Sequence, residues 1–138
     1  MRLLVVEDHP DSASLFSRLL SLEGHAVDIA CDAHSALELC AGKSYDIILA
    51  DIGLPDESGW ELMNALLRRC PVRGIAISGY AYDTDIRRSL EAGFLEHLTK
   101  PVTAESLFAA IERVAALPLP TPPGRLASHT QVPFAAVQ

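Results

Sequence analysis

Residues 45–63 read YDIILADIGLPDESGWELM. The run 46–50 is almost wholly aliphatic and stops at a single carboxylate, Asp51. An apolar run without polar alternation suits a strand buried on both faces, as in a parallel sheet. Residues 55–59 are rich in turn formers. A helix follows, with Leu62, Met63, Leu66 and Leu67 at helical spacing.

The same alternation repeats on both sides of this unit. Toward the N-terminus, residues 3–6 form a strand and residues 12–23 a helix, with Leu15, Phe16, Leu19, Leu20 and Leu22 as its apolar stripe and Gly24 as its stop. Residues 26–30 form the second strand, and Asp32 caps a helix ending near Gly42. Toward the C-terminus, residues 74–77 form a fourth strand. Residues 84–92 form a helix with Ile86 and Leu90 on one side, stopped by Gly93. Residues 94–98 form a short fifth strand, and Thr103 caps a last helix that faces inward through Leu107, Ile111 and Val114. Five β–α units in succession predict an α/β fold, a parallel sheet with helices on both faces, because right-handed crossovers put them there.

The chain has 138 residues, enough for one domain, and 49% of them are apolar, ample for one core. After residue 117 the pattern ends. Residues 118–138 hold five prolines and one formal charge, the composition of a flexible tail or linker. The net charge of -7 argues against a non-specific grip on nucleic acid, which needs a basic face. No apolar run approaches the length of a membrane span, and the early Glu7–Asp8 pair excludes a signal peptide, so a cytoplasmic location is expected. Cys31, Cys40 and Cys70 form no CxxC pair and are expected to be reduced and mostly buried.

In open α/β sheets, functional groups gather at the carboxyl ends of the strands. Those ends carry Glu7 and Asp8, then Asp51, then Ser78, then Lys100 followed by Pro101. Clustered carboxylates resist ionising together. A hard divalent cation relieves the repulsion, and Mg²⁺ prefers oxygen ligands while keeping room for waters and phosphate oxygens; Mn²⁺ is the alternative. Asp8, Asp51 and one loop carbonyl suit such an ion. Asp51 also has the chemistry of an aspartyl-phosphate nucleophile. A transferring phosphoryl group spreads negative charge that the Lys100 ammonium and the Ser78 hydroxyl would offset.

The stretches LLVVEDHPD, YDIILADIGLPDESGWELM, IAISGY and AGFLEHLTKPV, in this order over residues 1–117, resemble the response-regulator receiver domains of two-component signalling. The resemblance implies a flavodoxin-like doubly wound sheet of strand order 2-1-3-4-5. It implies phosphorylation at Asp51 by a histidine kinase or a histidine phosphotransfer domain, an acid pocket of Glu7 and Asp8, and a metal-ligating carbonyl at Gly53. It further implies a switch hydroxyl at Ser78, a conserved-type lysine at Lys100, a cis bond before Pro101, and a switching surface on helix 4, strand 5 and helix 5. His97 stands where receivers often carry an aromatic residue that turns inward on activation; the plainer reading is a half-exposed strand histidine. As a switch, a histidine would add pH dependence near neutrality. Gly53 and Tyr80 flank the route of an attacking water in this family. The SGY and GFLEHLTKPV stretches look most like hybrid-kinase receivers. No output domain is visible, so the downstream protein is unidentified.

Two other classes compete. An aspartate-nucleophile phosphatase needs a second acid two residues after the nucleophile, and that position is Gly53. A phosphorylation-independent docking module on the same fold would usually lack a pocket residue, and here none is missing. The expected protein therefore catalyses only its own phosphorylation and dephosphorylation.

Overall fold

The computed structural model describes residues 1–69, 71–79 and 82–120. The elements alternate as β1 (Arg2–Val6), α1 (Pro10–Leu22), β2 (Ala26–Ala30), α2 (Ala33–Gly42), β3 (Ile47–Asp51), α3 (Gly59–Arg69), β4 (Arg73–Ser78), α4 (Asp83–Ala92), β5 (Glu96–Thr99) and α5 (Ala104–Ala115). All strand pairs are parallel, in the order β2-β1-β3-β4-β5. This is the doubly wound, flavodoxin-like arrangement.

Side chains alternate across a strand, so each central strand feeds two cores. Leu4, Val6, Ile48, Ala50 and Ala76 pack with Leu62, Met63, Leu66 and Leu67 of α3. Leu3, Val5, Ile47, Leu49, Ile75 and Ile77 pack on the opposite face with Phe16 and Leu20 of α1 and with Leu107, Ile111 and Val114 of α5. The unbroken apolar runs are thus the signature of a sheet covered twice.

The helix ends follow local chemistry. Asp32 accepts from the Ser35 amide at 2.7 Å, while Asp56, from the loop after β3, accepts from the Ala33 and His34 amides at 3.0 Å each. Three otherwise orphaned donors of α2 are satisfied in this way. Thr103 and Ser106 form a reciprocal capping box on α5. Gly93 ends α4 at φ 110°, a conformation that L side chains rarely adopt.

Several expectations need correction. Leu15 and Leu22 are 53% and 76% exposed; they lie about 100° and 200° around α1 from the buried Phe16 and Leu20, so the stripe is narrower than five leucine-type positions. In α4 the buried positions are Ser89 and Ala92, while Leu90 is exposed and Ile86 only half-buried. The fifth strand begins at Glu96, because Phe94 turns into the core directly after Gly93. Cys31 is exposed and Cys40 half-buried, since the first sits in the turn leaving the edge strand β2. Cys70, Tyr80 and residues 121–138 lie outside the described residues; residues 118–120 form neither helix nor strand.

On the edge strand β2, Asp28 accepts from Tyr45 Oη at 2.6 Å and Lys43 Nζ at 3.0 Å. These bonds, Tyr45 first, hold its carboxyl below the usual range. A depressed carboxylate contributes stability above its unfolded pKa and loses it as pH falls through the folded one. Asp28→Asn is therefore expected to lower the melting temperature by about 3 °C at neutral pH, with the gap to the parent protein closing as pH falls from the ordinary value of 3.8 through the lowered folded one. Thermal melts of both proteins across that range check it.

Candidate functional site

The carboxyl edge brings together four of the groups named from sequence. Glu7 and Asp8 follow β1, Asp51 ends β3, and Lys100 follows β5. Carboxylate oxygens of Glu7, Asp8 and Asp51 all lie within 4.8 Å of one another. Lys100 Nζ stands between two of them, donating to Asp51 Oδ2 at 2.9 Å and to Glu7 Oε1 at 3.2 Å. The remaining oxygens are also engaged: the Gly53 amide donates to Asp51 Oδ1 at 2.9 Å, and the His9 amide donates to Glu7 Oε2 at 3.2 Å. His9 itself is the exposed N-cap residue of α1.

Glu7 is only 2% exposed, and burial pushes its carboxyl above the ordinary value. The His9 amide pulls it back, the Asp51 charge adds to the rise, and Lys100 opposes it. Burial also pulls Lys100 down, but its bond to Asp51 and the charges of Asp51 and Glu7 outweigh this and raise it, so it stays cationic. One ammonium facing three carboxylates leaves the site rich in anionic oxygen. That donor set fits a hard divalent cation, and a cation there would remove the repulsion that Lys100 only partly offsets.

Beside these groups lies a cleft of about 240 Å³ lined by Asp51, Ile52, Gly53, Trp60, Ser78, Gly79 and Asp85. Ser78 is 4% exposed at the end of β4, and its carbonyl accepts from the Lys100 amide at 2.7 Å. The Lys100–Pro101 peptide is cis. Gly53 keeps the approach to Asp51 open; an added Cβ would stand 3.8 Å from Asp51 Oδ1, an ordinary contact. His97 is engaged elsewhere, with Nδ1 2.8 Å from Ser89 Oγ.

A family model described as the response regulator receiver domain matches residues 3–112. The chain belongs to that family. A transcriptional regulatory protein, TcrA of Mycobacterium tuberculosis, is 35% identical over 127 residues, covering 89% of this chain and 49% of that protein. The receiver thus spans about half the length of that relative. An uncharacterised 14.6 kDa protein of Leptolyngbya boryana is 32% identical over 82% of this chain and 88% of its own length. A CheY-like receiver domain from Methanospirillum hungatei superposes with a TM-score of 0.78 at 30% identity, covering 83% of this chain and 92% of that one. This protein is accordingly a receiver domain of two-component signalling.

Three contributors to the receiver's site had escaped the strand-end reading. Asp85 reaches the cleft from α4, Asp56 ties the loop after β3 to α2, and Ser89 sits buried between Trp60 and His97. Only Ser89 left a trace in the sequence, as a polar residue three positions before Ala92 on the inward face of α4.

Proposed function

We propose that the receiver accepts a phosphoryl group from a phosphohistidine onto Asp51. The reading rests above all on the Lys100 ammonium held 2.9 Å from Asp51 beside two further carboxylates. An Asp51 carboxylate oxygen attacks phosphorus; the O–P bond forms as the N–P bond breaks, and the imidazole leaves with the electron pair. Lys100 offsets the charge that develops on the phosphoryl oxygens, and the Ser78 hydroxyl turns toward one of them. Asp8, Asp51 and the Gly53 carbonyl, with Glu7 behind them, would hold Mg²⁺ or Mn²⁺, which supplies further charge neutralisation when bound.

The product adds about -1.5 to -2 of charge beside Lys100 and Ser78. The loop after β4 follows Ser78, and the face formed by α4, β5 and α5 changes its preferred partner. In this reading residues 1–117 are the working unit and residues 118–138 a tail or linker. The chain works in the cytoplasm, exchanging phosphoryl groups with a histidine kinase or a phosphotransfer domain, and touches neither nucleic acid nor membrane. The net charge of -7 supports this, and no helix among the described residues is long and apolar enough to cross a membrane. The relative named a sensor protein in Escherichia coli, EvgS, 30% identical over 110 residues, fits a place in such a relay.

Mixing the protein with a ³²P-labelled phosphotransfer domain tests the donor chemistry. Label is expected to move to this chain with Mg²⁺ and to stay on the donor with EDTA. Transfer to Asp51→Asn at the parent rate would defeat the assignment.

A further inference from the structure

Ser89 has no exposed surface, yet its hydroxyl meets partners from two other elements. Trp60 Nε1 of α3 lies 2.9 Å away and His97 Nδ1 of β5 lies 2.8 Å away. An indole nitrogen only donates, so Ser89 Oγ accepts from Trp60, and the assignment that uses its single proton points that proton at His97 Nδ1. The ring proton of His97 then sits on Nε2, which is buried and has no hydrogen-bond partner among the described residues. The reverse assignment, with Nδ1–H donating to Ser89, would strand the Ser89 proton instead. A buried donor without an acceptor is unfavourable. The bond from Ser89 therefore holds His97 in this orientation against a group that gains by turning away.

The other end of this chain of bonds stands in the cleft. Trp60 lines it together with Asp51 and Ser78, and the Arg88 guanidinium lies 4.2 Å from the centre of the indole ring. A single hydroxyl thus connects the wall of the cleft to β5.

We propose that Ser89 is a positioning residue that ties the orientation of His97 to the state of the cleft through Trp60. The inference rests on the phospho-acceptor reading above. Phosphorylation that shifts Trp60 loosens its hold on Ser89. His97 then turns to satisfy Nε2, altering the face presented beside α4. Coupling of this kind is a difference in contacts between two states, carried by groups that bond in only one of them.

Nuclear magnetic resonance of the whole chain tests it, with labelled histidine and indole nitrogen. Trp60 is the sole tryptophan, so its indole signal needs no assignment. With acetyl phosphate and Mg²⁺, the Trp60 indole and His97 ring signals are expected to shift together in the parent protein. In Ser89→Ala the Trp60 signal still moves on phosphorylation, but the His97 change falls to less than half; Ser89→Thr, which keeps the hydroxyl, restores it. An undiminished His97 change in Ser89→Ala, with a phosphoryl mass gain on the protein, overturns this inference alone. No mass gain in the parent overturns both it and the phospho-acceptor reading. Should Ser89→Ala fail to fold, Trp60→Phe, which removes the N–H donor together with part of the ring at that end, decides by the same His97 criterion.

Discussion

Lys100→Ala is expected to slow phosphoryl acceptance by about 10²–10³-fold, the usual loss when one positioned charge-stabilising group is removed from a reacting centre. The structure gives the reason: its Nζ is the one cation hydrogen-bonded to Asp51 among the described residues. The same change leaves Glu7 and Asp51 facing one another without the ammonium between them. Glu7 is already raised by burial, and losing Lys100 raises it further. A raised carboxyl favours the protonated folded state, so its contribution to stability is lost as pH rises from the ordinary value of 4.5 through the folded one. The variant should therefore melt close to the parent protein below about pH 4.5 and increasingly below it as pH rises. Added Mg²⁺ should recover much of that stability, by supplying cationic charge to the carboxylates, but little of the transfer rate. A variant that transfers at the parent rate would remove Lys100 from the chemistry.

Gly59→Ala carries the largest expected structural effect. A Cβ at Gly59 would lie 2.6 Å from the Asp51 carbonyl oxygen, 2.9 Å from Ile52 Cα and 3.2 Å from the Asp51 carbonyl carbon. All three are backbone atoms, so no rotamer change relieves the clash. Either the start of α3 or the Asp51–Ile52 peptide must move, and the bond from the Gly59 amide to the Ile52 carbonyl, 2.8 Å, goes with it. Overpacking typically costs about 1–3 kcal/mol, and a backbone clash belongs at the upper end, equivalent to a melting temperature lower by roughly 10 °C. Because the displaced peptide carries the acceptor carboxylate, phosphoryl acceptance should fall even at temperatures where the variant is folded. Gly42→Ala is the control: nothing lies within 4 Å of its added Cβ, at the far end of α2, and it should melt at or above the parent temperature. Calorimetry and transfer rates on the two variants separate the effects.

The fold was legible because the sheet is covered on both faces. A strand such as β3, with every residue from Ile47 to Ala50 buried, has no polar alternation to confuse its reading. The strand ends were legible for the same reason: Glu7, Asp51, Ser78 and Lys100 each interrupt or follow an apolar run. Helix faces were harder. Leucine at positions 15, 22 and 90 reads as core by type, yet the angle around the helix puts each toward solvent. Least legible were contacts between distant elements. Asp56 reaches back 23 residues to Ala33, and Trp60 reaches forward 29 residues to Ser89. Such pairs leave no periodicity in the sequence, since only the packing of α2, α3 and α4 around the sheet decides that they meet. The position of His97 could be marked from the sequence, but not that its Nδ1 would be held by a buried serine.

The central claim is that Asp51 takes a phosphoryl group, and intact mass measurement tests it most directly. The purified protein is incubated with acetyl phosphate and Mg²⁺, beside Asp51→Asn and an EDTA control. A gain of one phosphoryl mass in the parent protein, absent from both controls, is the expected result. No gain from acetyl phosphate or from a panel of phosphohistidine donors, or an equal gain in Asp51→Asn, would contradict the account. The first of these outcomes would leave a receiver fold that acts as a docking module without phosphorylation.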